Sequence, residues 1–161
     1  MPLPLLLALA LQITPVQPLP KGTALPPPGA EEAAVLAPIE RMFAGLAAAD
    51  GARIMAQVRP EGRATAVVER PDGARAVRGS SWAEFVARFK PGGPKLEERL
   101  VGAPAIEIDG DIAMVWSPYV FLIDGKLSHC GIDHVDLVRE SGGWKILNLT
   151  WTQRTTNCPT E

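Results

Sequence analysis

The stretch HCGIDHVDLVRESGGWKILNLTWTQR, residues 129–154, reads as two alternating arms joined by Ser141-Gly142-Gly143. Apolar and polar residues exchange every second position on both sides of the glycines, which is the mark of a hairpin of long strands. Toward the N-terminus the same signal recurs at Asp124-Gly125 and at Asp109-Gly110. The alternation that starts at Leu96 is therefore divided into a meander of antiparallel strands.

Turn geometry then sets a register. A two-residue loop at Asp124-Gly125 puts Leu122 opposite Leu127 and Trp116 opposite Asp133, and one at Ser141-Gly142 puts Leu137 opposite Ile146 and Asp133 opposite Thr150. On this register one face gathers Ile112, Met114, Trp116, Pro118, Val120, Leu122, Leu127, Val135, Leu137 and Ile146, and that is the face helices should cover. The other mixes Val115, Phe121, Leu149 and Trp151 with Ser117, Tyr119, His134 and Gln153, and suits either half-solvation or a homodimer interface.

Upstream the period is helical. Val35, Ile39, Met42 and Leu46 form one stripe, in which Pro38 must sit in the first turn or bend the helix. Asp50 can cap a short second helix carrying Ile54 and Met55, and a strand follows at Ala64–Arg70. Ser81-Trp82-Ala83-Glu84 is a capping box that opens a third helix, with Trp82, Phe85, Val86 and Phe89 on one side. Helices followed by long hairpins predict an α+β domain, with a curved antiparallel sheet packed on three N-terminal helices.

At 161 residues and 47% hydrophobic content, the chain can bury the core of one domain, expected over 31–155 with a short tail at 156–161. A formal charge of -2 without long runs of either sign argues against nucleic acid as a partner. The run Leu5–Leu11 is too short to span a bilayer but suits the apolar part of a signal peptide, expected over 1–20, followed by a disordered proline-rich tether over 21–30. Export to the periplasm or beyond is the consequence. Cys130 and Cys158 lie near no second metal ligand, so no metal is expected. Two readings stand for them: a disulfide, stable only in an oxidising compartment, or two unrelated thiols.

The order of elements, the segment 129–154, the helix ending Ala49-Asp50 and the strand ending Glu69-Arg70-Pro71 together resemble the nuclear transport factor two-like superfamily, near its SnoaL-like polyketide-cyclase branch. The resemblance covers roughly Glu31 to Arg154 and implies a cone-shaped cavity between sheet and helices. It spans isomerases, dehydratases, hydrolases, cyclases and non-catalytic binding or dimerising modules. Against the ketosteroid isomerases of that superfamily, the base position before proline is Arg70 and the oxyanion-holding tyrosine position is Met42. Steroid isomerase chemistry is therefore disfavoured, and Glu69 would point away from Arg70 on an alternating strand.

Asp133 is the candidate acid or base: a carboxyl on an apolar face has a raised pKa unless it is hydrogen-bonded, and Thr150 or the Trp116 indole are its expected partners. His129, two positions away on the same face, is the second candidate; His134 points the other way. Trp116, Met114, Val135, Asn148, Thr150 and Glu107 are the expected ligand-lining residues. With no glycine-rich phosphate loop and no nucleophile elbow, no cofactor is expected. Two functions follow from this set. One is a module that binds a small apolar or aromatic ligand or forms a homodimer; the other is a cofactor-independent lyase or isomerase acting on a small hydrophobic carbonyl compound through Asp133.

Overall fold

The computed structural model describes residues 29–159, so the expected leader and almost all of the proline-rich tether lie outside the described residues. The first helix, α1 (Ala30–Ala47), buries Val35, Ile39, Met42 and Leu46 as their spacing requires. Pro38 sits inside α1 and is itself buried, so the helix continues without the bond its N–H would have made to the Ala34 carbonyl. Next come α2 (Gly51–Met55), capped by the Asp50 carboxylate accepting from the Arg53 N–H at 3.0 Å, and β1 (Arg63–Glu69).

An unexpected strand, β2 (Arg75–Ser81), pairs with β1 as a hairpin. Its sequence, RAVRGSS, has no large alternating apolar residues because it is the sheet's edge and buries little. Ser81 then opens α3 (Trp82–Val86) with both halves of the capping box formed. Trp82 is fully buried, and its indole N–H donates to the Leu147 carbonyl at 3.1 Å, tying α3 to the sheet.

The meander is β3 (Leu96–Leu100), β4 (Ala105–Asp109), β5 (Ile112–Ile123), β6 (Lys126–Glu140) and β7 (Gly143–Gln153). Strand order is β2-β1-β7-β6-β5-β3, and β4 shares the outer edge of β5 with β3. This is the expected α+β fold, a curled and unclosed sheet on three helices, with one correction: β1 runs parallel to β7, so the sheet is mixed. The chain reaches β1 through two helices rather than a hairpin, which frees it to enter in either direction.

The expected register is right next to both turns and wrong beyond them. Leu122 faces Leu127 and Leu137 faces Ile146, but a bulge after Leu127 shifts the β5–β6 pairing and another at Leu147 shifts β6–β7. Trp116 consequently faces His134, Ser117 faces Asp133, and Asp133 faces Trp151 rather than Thr150. One extra residue reverses the side to which every later residue points. The helix-covered face is thus Ala113, Val115, Ser117, Tyr119 and Phe121 on β5, with Val135, Leu137, Ile146 and Leu149 completing the core beneath α1 and α3.

Cys130 and Cys158 form a disulfide, with Cα atoms 5.6 Å apart. A second, smaller core of Val120, Leu122 and Cys130 lies under this staple, on the face away from the helices. The Cys130–Arg154 backbone pair aligns the tail for it, with hydrogen bonds of 3.0 and 2.9 Å.

Candidate functional site

Alternation in β6 delivers His129, Gly131 and Asp133 to the inner face of the cone, and β3 delivers Glu98 to the same place from the opposite edge. Asp133 is only 1% exposed, and apart from the Glu98 carboxyl beside it neither of its oxygens has a hydrogen-bond partner. Burial pushes its pKa up to about 7, an effect the neighbouring Glu98 carboxyl opposes. Glu98 is raised well above the usual carboxylate range, first by burial and then by the charge of Asp133 and a hydrogen bond to it. Two ionised carboxylates offer only acceptors. Once one takes a proton it donates to the other, so the pair is stable as a proton-sharing unit.

Glu98 opens onto a cavity with aromatic walls, and Asp133 is buried behind it. A cavity of about 170 Å³ is lined by Phe85, Phe89, Phe121, His129 and Trp151, with Glu98 in its wall and Arg88 and Gln153 among its polar lining. Phe85 meets Phe89 and Trp151 edge-on, with ring centres 5.1 and 6.1 Å apart. His129 stacks on Phe121 at 4.6 Å, and its burial lowers its pKa, which keeps the imidazole neutral. Tyr119 lies across Gly131 and donates its hydroxyl to the Thr152 carbonyl at 2.9 Å; burial, then the charges of Glu98 and Asp133, raise its pKa. A second cavity of about 430 Å³ opens on the other side of Glu98, between α1 and β3.

The structure brings together only part of the expected site. Asp133, His129 and Val135 lie on the helix-covered face, while His134 lies on the other. Met114, Trp116, Asn148, Thr150 and Glu107 are placed with His134 on the outer face, because the bulges reversed β5 and the end of β7. There Asn148, Asp136, His134 and Trp116 form a group of their own: the Asn148 amide donates to Asp136 at 3.3 Å, His134 is 3.5 Å from Asp136, and Trp116 lies beside the His134 ring. Glu69 lines neither cavity and is engaged with Arg75 at the tip of the first hairpin.

Glu98 is the residue the sequence reading missed. Its signal was present in Leu96-x-Glu98-x-Leu100, where period two puts the carboxylate in one row with two leucines. Among the described residues no group of His, Cys, Asp or Glu is arranged to hold a metal ion.

A protein family described as "Putative lumazine-binding" matches residues 30–152, which spans all three helices and nearly the whole sheet. The chain belongs to this family. Its members have the NTF2-like fold, and solved structures agree. An NTF2-like protein of unknown function from Shewanella baltica is 13% identical, with 78% of this chain and 95% of that one covered at a TM-score of 0.58. An NTF2-like protein from Cytophaga hutchinsonii is also 13% identical, covering 77% and 98% at 0.60. The CaMKII hub of S. rosetta is 21% identical, covering 80% and 99% at 0.58. At such identities the likeness is one of fold. No curated protein matches the chain.

Proposed function

We propose that this family member binds a small planar, largely apolar molecule in the cone cavity, held by hydrogen bonds that the ligand donates to the Glu98–Asp133 pair. The observation that carries this reading is the Glu98 carboxyl in the wall of a cavity lined by aromatic rings, backed by the buried Asp133 carboxyl that no other group donates to. Such a site lacks what a planar heterocycle with ring N–H groups would bring, and the family's description, which names lumazine, supports that ligand type. A thermal-shift comparison of lumazine and related bicyclic heteroaromatics with sugars and phosphates tests it. Stabilisation by the heteroaromatics that is lost in Asp133→Asn is expected. Stabilisation by sugars or phosphates alone would overturn the reading.

A second reading, lyase or isomerase chemistry on a small hydrophobic carbonyl compound, is favoured by one observation: a carboxyl titrating at about 7 is matched to proton transfer at neutral pH. In that role Asp133 would take a proton from the carbon beside the carbonyl and return it. Deuterium exchange into acetophenone in heavy water, followed by nuclear magnetic resonance, checks this. Exchange above the buffer rate that disappears in Asp133→Asn is the expected result.

Export and homodimerisation complete the proposal. The Cys130–Cys158 bridge and the apolar run Leu5–Leu11 support an oxidising destination. Mass spectrometry of the protein from its native host tests this, an intact Met1 terminus in the cytoplasm being the contrary result. No helix among the described residues is long and apolar enough to cross a membrane. Exposed Ile112 and Trp116 on the outer sheet face support pairing with a second copy through that face.

A further inference from the structure

The charge around the cavity is unbalanced. Glu98 and Asp133 face each other, and apart from the proton shared with Glu98 no donor reaches either Asp133 oxygen. The cations nearby are committed or peripheral: Arg88 is exposed at the cavity lining, Arg99 lies 3.7 Å from Glu97, and Arg154 bears on Tyr119. His129 is kept neutral by burial, and the Tyr119 proton is retained in its bond to Thr152. On the far side Glu40 adds a further carboxylate to the second cavity.

We infer that the cavity selects an aromatic organic cation, of the amidinium or protonated aminoheterocycle class, whose N–H edge meets Glu98, with Asp133 buried behind it, while its ring lies among Phe85, Phe89, Phe121 and Trp151. The inference rests on the reading that the cavity binds a small planar molecule, and adds the sign of that molecule's charge. A neutral donor would satisfy the orphaned oxygens, whereas a cation also offsets the negative charge and gains from the faces of the rings. The desolvation of the carboxylates is already incurred in folding, so a cation meets a site that needs no further rearrangement. A planar N–C–N edge presents two donors in the spacing that a carboxylate accepts.

Benzamidine and benzamide have nearly the same shape and differ in charge, so isothermal titration of both against the folded protein separates the two ideas. At a pH above 8, benzamidine is expected to bind at least about tenfold more tightly than benzamide. Because a second proton must leave the pair when the cation enters, benzamidine affinity should fall by up to about tenfold for each pH unit below about 7. Benzamide should show no such fall. Glu98→Gln should weaken benzamidine by at least about tenfold and change benzamide much less. The pH profile of the unaltered protein needs no variant and stands even if Glu98→Gln does not fold. Equal, pH-independent binding of the two compounds overturns the cation selectivity and leaves the aromatic cavity in place. Binding of neither overturns both.

Discussion

Asp133 shows how one buried carboxyl sets a pH dependence. Its pKa is about 7 in the fold against an ordinary 3.8, so between those values the folded chain holds a proton that the unfolded chain has lost. Protons bound more tightly by the native state make stability fall as pH rises. The contribution is fully present below 3.8 and lost as pH rises through about 7. Asp133→Asn removes the Asp133 share of this titration and leaves that of Glu98, whose pKa is raised first by its own burial. Urea melts at pH 5 and pH 8 should therefore show the variant gaining on the wild type as pH rises, and parallel curves would mean that Asp133 is not the group responsible. Gly131 is constrained in a different way. A Cβ there would lie 1.8 Å from the Thr152 carbonyl oxygen, a backbone atom that cannot move aside without breaking the β6–β7 pairing. Gly131→Ala is expected to cost several kcal/mol, read as a fall in the urea midpoint.

At the scale of elements, local signals and long-range ones were legible to different degrees. The stripe of α1, the Asp50 cap and the Ser81 capping box could be read because each is written within a few neighbouring residues. The β hairpin turns could be read for the same reason. Beyond the bulges at Ser128 and Leu147 the register could not be read, because neither position carries a glycine or other residue that marks a bulge. That is why Asp133 and Val135 were placed on the helix-covered face while Trp116 and Thr150 were placed there wrongly. Glu98 was missed because it joins the site from β3, whose pairing with Leu122 through Glu97 is set by a connection across the sheet rather than by a turn. The parallel entry of β1 beside β7 has no local signature either. The capping box provides a prediction at this scale. Its two bonds, Glu84 N–H to the Ser81 hydroxyl at 3.3 Å and Ser81 N–H to the Glu84 carboxylate at 2.8 Å, start the helix that carries Trp82 and Phe85 to the cavity. Ser81→Ala should cost about 1 kcal/mol in urea denaturation, and because Phe85 is a cavity wall it should also weaken any ligand.

For the whole molecule, the two faces of the sheet divide the work. The inner face holds the core and the cavity, and the outer face leaves Ile112 60% exposed and Trp116 49% exposed. If that face pairs two copies, Trp116→Glu should convert a dimer to a monomer in sedimentation without shifting ligand affinity, since Trp116 lies on the side away from Asp133. The disulfide acts on the molecule in yet another way. It joins positions 28 residues apart and fastens the tail beside β6, next to the strand segment that carries His129, Gly131 and Asp133. Closing a loop of that length restricts the unfolded chain by roughly 3–4 kcal/mol in the entropy model. Reduction, or Cys158→Ser, should lower stability by about that amount. The tail beyond Arg154 would then be held mainly by the Cys130–Arg154 backbone pair, so amide exchange should rise first over positions 155–158 and next along β6 near Gly131. Exchange that rises uniformly across the domain would instead show that the bridge stabilises only through the unfolded state and does not hold the floor of the cavity in place.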